Sequence, residues 1–485
     1  MKKLLASWKH QGHIVLLVIY FLTYEIFKSL RVKTEISPPT MLVLLFGSVV
    51  FCLIITFTLR YLIKSGTNAV LLCSILFTIT FFFSTWVDIL LDISVFRNVL
   101  STFDIHKKVI VFLFLLVIYG VIVLIIARIN YELKDLSGYF TLLIACFIVV
   151  EIANFALYKP NSIQLENDFN LGATSTGASH PDIYYIILDH YSSNESLKSY
   201  NHDNQYFTDF LKEQGFYIAT NSLSNYNYTS SSLSSSLNGS YLNVPNKTRY
   251  SLEDASTLIK LIKESKVPKI LAREGYDLNT YGIYEVQQHS GKLMSRPDDK
   301  AGKSNSLLST VLRAAFQRFD VADQQLIHKV FYNYNINSFK FLDSLAANVS
   351  EGRPKFNFMH TLTAHTPFVV DSNGNFQSDI TQTHNKENYI REIRYTNKRI
   401  MSFIRSLKSN PKYKPVIIIQ SDHGSHLNDL KETSTILNAY YFPDHDYSSL
   451  YPEISPVNSF RIIFNKYFNA QLPILPDHNF HVFYP

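Results

Sequence analysis

The segment DIYYIILDHYSS (182–193) predicts the fold of the C-terminal part of the chain. It is a nearly continuous apolar run that ends in polar residues, which is typical of a strand buried inside a parallel sheet. Two later segments have the same pattern, KFNFMHTLTAH (355–365) and PVIIIQSDHGS (415–425). Apolar residues at helical spacing lie between them, at 205–214 and 389–407. Strands that alternate with helices predict an α/β sandwich with a mostly parallel central sheet.

The first 160 residues have the character of a membrane domain. Charged residues make up only 17% of the chain, and 14% of its residues are aromatic. About 20 apolar residues are needed to cross ~30 Å of hydrocarbon, and five stretches have this length or nearly so. The predicted spans are 13–30, 41–62, 69–90, 109–129 and 136–158. The sequence therefore predicts a five-helix transmembrane bundle at 1–160, followed by a second domain at 161–485.

The positive charge of the chain belongs to this membrane part. The net charge is +6, and residues 1–160 contain 14 Lys or Arg against 8 Asp or Glu, so 14 − 8 = +6 and the remainder is neutral. Basic residues beside apolar spans orient membrane helices, whereas nucleic-acid binding needs a basic patch. We therefore expect no nucleic-acid partner. All three cysteines also lie before residue 161, so the second domain has no disulfide and no zinc–thiolate site.

Four acidic residues lie within or near the predicted spans, namely Glu25, Asp88, Asp92 and Glu151. Carboxylates inside a membrane are functional candidates by default. Two ordinary interpretations stand beside that one: Asp88 and Asp92 could lie at a helix end, and Glu25 could face the bundle. A transporter would need more polar residues in its spans.

Polar side chains follow each of the three predicted strands. Asp189 ends the first strand, His360 and His365 follow the second, and Asp422 and His423 follow the third. Because ligands bind beyond the carboxyl ends of the strands in such sheets, we expect these side chains to meet at one edge. Each alone has an ordinary interpretation as a turn, cap or core residue. Together, two carboxylates and an imidazole suit a divalent cation such as Mn, Zn or Mg.

The hydroxyl-rich segment SNYNYTSSSLSSSLNGSY (224–241) supplies a candidate nucleophile. Its composition is that of a flexible linker, but Leu233 and Leu237 are spaced as on one helix face, and Asn238-Gly239 is a helix stop. The segment therefore predicts a short helix that begins near Thr229.

Thr229 has two interpretations. Alone it suits a helix N-cap. Beside a cation, its hydroxyl would lose its proton more readily and act as a nucleophile. The serines at 230–232 are alternatives to it, because one sequence does not fix the register. We interpret three further polar residues as structural, namely His190, His426 and Arg461.

The order of these motifs and their residues resemble those of the alkaline phosphatase/sulfatase superfamily. More narrowly, the chain is similar to the membrane-anchored phosphoethanolamine and phosphoglycerol (lipoteichoic acid synthase-like) transferases. The resemblance rests on IILDHYSS, SNYNYTSSSLSSSLN, MHTLTAHTPF and IIIQSDHG, and on spans followed by one catalytic domain. It implies that Asp189, Asp422 and His423 bind the metal ion and that Thr229 is a metal-bound nucleophile. His360 and His365 match the two histidines near the substrate phosphate.

The sequence also departs from these relatives. Phosphoethanolamine transferases often have another histidine about a dozen residues after the DHG motif, whereas LKETSTILNAYYF has none. Their soluble domains carry disulfides, which residues 161–485 cannot form. Sulfatases need Cys or Ser in a C/S-x-P-x-R sequence, and this sequence is missing here. We therefore do not expect hydrolysis of sulfate esters.

The resemblance implies a bacterial multi-pass protein of the cytoplasmic membrane whose catalytic domain faces outwards. It implies one divalent metal ion and transfer of phosphoethanolamine or phosphoglycerol through a phospho-threonine. The donor would be a phospholipid and the acceptor a cell-envelope glycan or glycolipid. One alternative is a phosphodiesterase or phosphatase, for which water is the acceptor. Another is a non-catalytic membrane scaffold, which predicts an incomplete set of metal ligands.

Overall fold

The residues that the structure describes belong to two compact units, one before residue 161 and one after it. The computed structural model describes residues 12–31, 38–63, 65–93, 107–157, 163–169, 180–244, 248–282, 324–349, 352–377, 385–427 and 432–483. The polar composition of residues 290–310 and 371–388 predicts loops. The first of these segments lies outside the described residues, as does part of the second.

The described part of the N-terminal unit is helical. Its helices are α1 (His13–Arg31), α2 (Pro38–Ile63), α3 (Gly66–Phe81), α4 (Phe83–Asp92), α5 (Lys107–Ala127) and α6 (Lys134–Leu157). Three segments are long and apolar enough to cross a membrane, Met41–Ile63, Ile110–Ala127 and Lys134–Leu157. Two further apolar segments are shorter, His13–Phe27 and Gly66–Phe81.

The predicted five-helix bundle is therefore not confirmed. The predicted span 69–90 is interrupted at Phe82, whose backbone angles (φ −108°, ψ 28°) separate α3 from α4. The 16 residues of α3 reach only about 24 Å at 1.5 Å per residue. Glu25 and Glu151 lie half-buried on α1 and α6. The side chains of Asp88 and Asp92 lie outside the described residues.

The C-terminal unit alternates strands with helices, as predicted. Its strands are β1 (Ile183–Leu188), β2 (Tyr217–Ile218), β3 (Asp277–Tyr281), β4 (Lys355–Thr361), β5 (Val416–Gln420) and β6 (Asn438–Tyr441). Its helices are α7 (Asn194–Ser199), α8 (Gln205–Glu213), α9 (Thr229–Ser236), α10 (Leu252–Lys263), α11 (Lys266–Arg273), α12 (Gln324–Ala347), α13 (Lys386–Lys408) and α14 (Pro456–Phe468).

The six strands form one sheet in the order β2-β6-β5-β1-β4-β3. The pairs β3–β4, β4–β1 and β1–β5 are parallel. Strand β6 pairs antiparallel with both β5 and β2. The sheet is thus mixed, and the prediction of a mostly parallel sheet describes its centre but not the edge at β6 and β2.

Both faces of the sheet are covered, so the domain is a sandwich. On β1 the side chains of Tyr184, Ile186 and Leu188 belong to one apolar core, which includes residues of α8, α12 and α13. The alternate side chains Ile183, Tyr185 and Ile187 belong to a second core, with residues of α9, α11 and α14. A strand with all six positions buried needs this continuous apolar composition, because neither of its faces meets water.

The register of the central strands places three motifs at one edge. Ile187 of β1 lies beside His360 of β4, and the same residue lies beside Gln420 of β5. Asp189 therefore emerges next to the end of β4, and the residues after Gln420 emerge on the other side of it. This is the edge that the sequence predicts for the site.

Candidate metal and nucleophile site

Asp189 lies at the centre of the site. It directly follows β1, is 1% exposed, and its backbone N–H donates to the carbonyl of Thr361 at 3.1 Å. Its Oδ2 atom is 3.2 Å from Nε2 of His360, and its Oδ1 atom is 3.8 Å from Nε2 of His423. Side chains from all three central strands therefore meet at this carboxylate.

Thr229 is the first residue of α9, and Tyr228 occupies the N-cap position. The interpretation of Thr229 as an N-cap is therefore wrong. Its hydroxyl donates to Oδ2 of Asp189 at 3.4 Å and lies 3.3 Å from Nε2 of His423. The side chain faces the predicted metal ligands and does not cap the helix.

Two of the neighbouring serines have other partners. The hydroxyl of Ser231 donates to the carbonyl of Tyr228 at 3.1 Å. The hydroxyl of Ser232 donates to the carbonyl of Asp422 at 2.6 Å. These bonds turn both hydroxyls towards backbone groups, and this favours Thr229 among the candidate nucleophiles.

Asp422 and His423 follow β5 in a turn that fixes both side chains. Oδ1 of Asp422 accepts the backbone N–H of His423 at 2.8 Å, and its Oδ2 atom is 3.5 Å from Nε2 of His423. Nδ1 of His423 is 2.9 Å from the carbonyl of Gly424. A carbonyl only accepts, so Nδ1 carries the proton and Nε2 presents a lone pair towards the two carboxylates.

The residues present fit a divalent cation. Oδ1 of Asp189 and Oδ2 of Asp422 are buried without a hydrogen-bond partner among the described residues. Asp189, Asp422 and His423 each offer a ligand atom within 4.8 Å of the others. Two buried carboxylates at this separation repel each other unless positive charge lies between them.

The ionisation of these groups follows from burial and from one another. Burial and the charge of Asp189 raise the pKa of Asp422 to about 7. Burial lowers the pKa of His423 to about 4, so its ring is neutral at physiological pH. Burial opposes ionisation of Asp189, but the surrounding histidines hold its pKa below the usual range. A carboxylate and a neutral imidazole are the forms that bind metal ions.

His360 and His365 come from β4 and from the segment after it. His360 lies within the strand and is 1% exposed, whereas His365 is half-buried. Nδ1 of His365 donates to the carbonyl of Thr366, so Nε2 is the atom with a lone pair. Both histidines lie near Asp189.

Glu392 is a residue of the site region that the sequence analysis missed. It is fully buried on α13, and its carboxylate accepts the N–H groups of Ala364 at 2.8 Å, Val369 at 2.6 Å and Val370 at 2.8 Å. These bonds hold both ends of the segment that carries His365. Burial raises the pKa of Glu392 to about 8, although the three N–H donors oppose this rise. One sequence feature could have identified Glu392: it is a glutamate on the apolar helix face that Tyr389 and Ile393 define.

The interpretation of His190 and His426 as structural also needs correction. The ring of His190 is buried, with centroids 4.3 Å from His365, 4.5 Å from His423 and 4.9 Å from His426. Both residues therefore belong to the site. Arg461 is fully buried and donates to three backbone carbonyls at 2.8 to 2.9 Å, which agrees with a structural role.

The fold and these side chains define an α/β enzyme domain whose carboxylates, imidazoles and Thr229 hydroxyl meet at the carboxyl ends of the central strands. The chain belongs to the sulfatase family, whose model "Sulfatase" matches residues 181–460. The predicted superfamily, and with it the prediction that the chain is an enzyme of this superfamily, is thereby confirmed. No curated protein sequence matches the chain.

Several solved structures are similar to part of the chain. The C-terminal periplasmic domain of EptC from Escherichia coli is 13% identical over 61% of this chain and 84% of that one, with a TM-score of 0.38. The soluble domain of lipooligosaccharide phosphoethanolamine transferase A from Neisseria meningitidis is also 13% identical, over 61% and 92% of the two chains, with a TM-score of 0.38. A putative sulfatase from Bacteroides fragilis is 13% identical over 63% and 77%, with a TM-score of 0.37.

Proposed function

We propose that this protein transfers a phosphorylated head group, phosphoethanolamine or phosphoglycerol, from a phospholipid to a cell-envelope glycan or glycolipid. The observation that supports this most is the position of the Thr229 hydroxyl, between Oδ2 of Asp189 and Nε2 of His423 at 3.4 and 3.3 Å. A hydroxyl held by a carboxylate and an imidazole is arranged as an activated nucleophile. The family and the apolar helices are consistent with an enzyme that acts on membrane lipids.

Asp189, Thr229, Asp422 and His423 would hold one divalent cation, with Mn, Zn and Mg as the candidates. When bound, such a cation lowers the pKa of a hydroxyl and stabilises negative charge on a phosphoryl group. His423 offers only Nε2 to it, because its Nδ1 is fixed on the carbonyl of Gly424. Asp189 and Asp422 each offer the oxygen that lacks a protein partner.

The reaction takes two displacements at phosphorus. In the first, Oγ1 of Thr229 bonds to the phosphorus of the phospholipid, and the bond from phosphorus to the diacylglycerol oxygen breaks. The proton of the Thr229 hydroxyl passes to that leaving oxygen, with Nε2 of His365 as its carrier. In the second, an acceptor hydroxyl attacks the phosphorus, the bond to Oγ1 breaks, and Thr229 regains a proton. His360, beside Asp189, orients the carboxylate and faces the phosphoryl group.

This reaction places the catalytic domain on the outer side of the bacterial cytoplasmic membrane, where donor lipid and envelope glycan meet. Residues 1–160 then serve as a permanent membrane anchor and residues 161–485 as the catalytic domain. The anchor keeps the domain beside its lipid donor, so the enzyme does not have to bind the bilayer anew in each cycle.

The proposal is tested with the full-length protein in vesicles that contain phosphatidylethanolamine or phosphatidylglycerol labelled in the head group, together with a glycolipid. We expect diacylglycerol release that is matched by label on the glycolipid. Label that appears only as a water-soluble phosphate ester would identify a hydrolase instead. No diacylglycerol from either donor, with folded and metal-loaded protein, would contradict both reactions and favour the non-catalytic scaffold.

Glu392 is expected to act as a positioning residue for His365. In Glu392→Gln one oxygen still accepts from Val369 and Val370, but an amide NH2 group faces the N–H of Ala364. The segment before His365 should shift, and kcat should fall by about tenfold to a hundredfold with a smaller change in KM. The protein should also lose about 1–3 kcal/mol of unfolding free energy, because a buried N–H loses its acceptor.

The matched control is Glu387→Gln on the same helix. Glu387 is exposed and pairs with Arg391 at 2.5 Å, so this change should alter stability by less than about 0.5 kcal/mol. Wild-type kcat in a destabilised Glu392→Gln protein would limit Glu392 to a structural role.

A further inference from the structure

The turn that precedes the proposed nucleophile is held by a distant part of the chain. Residues 224–228 lead into α9, and Tyr228 at the N-cap position is extended (φ −139°, ψ 143°), with no side-chain hydrogen bond that caps the helix. The position of Thr229 therefore depends on what fixes this turn. Two of its residues, Asn225 and Asn227, are buried, with exposures of 0% and 1%. Buried amides need hydrogen-bond partners, and both residues find partners outside the turn.

The Asn227 amide binds the backbone of a single residue through both of its polar atoms. Its Nδ2 group donates to the carbonyl of Val482 at 3.1 Å, and its Oδ1 atom accepts the N–H of Val482 at 2.7 Å. The backbone carbonyl of Asn227 accepts Nε2–H of His426 at 3.0 Å. The side chain and the backbone of Asn227 are therefore both fixed, two residues before the Thr229 hydroxyl.

The same C-terminal segment also binds Asn225 and Tyr226. Phe480 donates its backbone N–H to the carbonyl of Asn225 at 2.9 Å, and Nδ2 of Asn225 donates to the carbonyl of His478 at 2.9 Å. The ring of Tyr226 stacks on the ring of Phe480, with centroids 5.5 Å apart. Residues 478–482 thus contact three consecutive residues of the turn, from positions 253 to 255 residues further along the chain.

We propose that Asn227 is a positioning residue for the nucleophile and that residues 478–482 are the support to which it is attached. This inference rests on the proposed function, in which Thr229 attacks phosphorus. The attacking oxygen must lie in line with phosphorus and the leaving oxygen. Attachment to Val482 restricts the backbone before Thr229, and this keeps the hydroxyl between its carboxylate and imidazole partners.

Asn465 on α14 supplies a matched control, because its amide binds a backbone in the same way. Its Nδ2 group donates to the carbonyl of Leu472 at 2.8 Å, and its Oδ1 atom accepts the N–H of Leu472 at 2.6 Å. This pair ties the C-terminal segment to α14 instead of to the nucleophile turn. A change from Asn to Asp at either position keeps the acceptor oxygen but places a carboxylate against a carbonyl.

The test is the rate of diacylglycerol release by full-length Asn227→Asp and Asn465→Asp proteins in donor vesicles, at a temperature at which circular dichroism shows both to be folded. In Asn227→Asp, kcat should fall by about tenfold to a hundredfold, because a displaced nucleophile slows the first displacement. KM should change by less than about threefold, because donor binding does not depend on the exact position of the hydroxyl. Asn465→Asp should keep both constants within about twofold of wild type.

Equal kcat values in the two folded variants would overturn the positioning role of Asn227 and leave the transfer reaction in place. A loss in Asn227→Asp that lies wholly in KM would overturn it too, because the effect would then be on donor binding. Asn227→Ala and Asn465→Ala remove both bonds without adding charge, so the same comparison decides the question if an aspartate variant does not fold. Wild-type protein without turnover would contradict the proposed function and this inference together.

Discussion

Thr229→Ala is expected to reduce diacylglycerol release by about 10⁴-fold or more, because loss of an enzyme's nucleophile removes the covalent route entirely. The hydroxyl makes its contacts with Asp189 and His423 and does not cap α9, so the fold should be retained with a change of about 1 kcal/mol or less. Thr229→Ser keeps the oxygen but loses the methyl group that restricts its rotamer. It should retain partial activity.

Ser231→Ala is the control for this experiment. Ser231 is adjacent to the proposed nucleophile, but its hydroxyl donates to a backbone carbonyl of the same turn. We expect activity within a few-fold of wild type. Normal turnover in Thr229→Ala would exclude Thr229, and loss of turnover in Ser231→Ala with retained fold would move the nucleophile to a neighbouring serine.

Asp422→Asn is expected to abolish stabilisation by metal. Wild-type protein at a metal concentration about 100-fold above its Kd should gain about 2.7 kcal/mol, which is seen as a rise of about 5 °C or more in Tm. Asparagine can still accept the N–H of His423 through Oδ1, but an NH2 group replaces the buried oxygen that has no protein partner. Stability in chelator should not fall, because the repulsion between Asp422 and Asp189 is removed.

The matched control is Asp444→Asn, which removes an exposed carboxylate that pairs with Lys466 at 2.9 Å. Its Tm should rise with metal as in wild type. Chelation of the wild-type enzyme should stop turnover, and Mn²⁺ or Zn²⁺ should restore it. Full turnover in chelator, or an unchanged metal-dependent Tm rise in Asp422→Asn, would remove the metal from the mechanism.

The sequence predicts the centre of the fold well because burial on both faces leaves a strong local signal. The apolar runs at 182–193 and 415–425 become the adjacent strands β1 and β5, since only the middle of a parallel sheet demands such composition. The outer strands on one side of the sheet, β6 and β2, were less predictable. Strand β2 is only Tyr217–Ile218, and the direction of β6 depends on a connection that no periodicity reveals. In the membrane unit, the break at Phe82 lies within a uniformly apolar stretch, so the composition of that stretch does not reveal it.

The site residues divide in the same way. Some are predictable from the sequence around them, and others depend on contacts with residues that are distant in sequence. Asp189, Asp422 and His423 are predictable because each lies within three residues of the end of a strand. The position of Thr229 as the first helical residue depends on the dihedral angles of Tyr228, which residue type does not determine. His190 and Glu392 act through residues that are distant in sequence. A lone histidine or glutamate is ordinarily structural, so only the assembled fold shows what these two residues contact.

The most direct test of the account is to locate the covalent intermediate. Full-length protein is mixed with a labelled phospholipid donor in the absence of acceptor, quenched in acid, digested and analysed by peptide mass spectrometry. We expect the mass of the phosphorylated head group on Thr229, and no such mass in Thr229→Ala. A head group mapped to one of the serines at 230–232, or turnover without any adduct, would contradict Thr229 as the nucleophile.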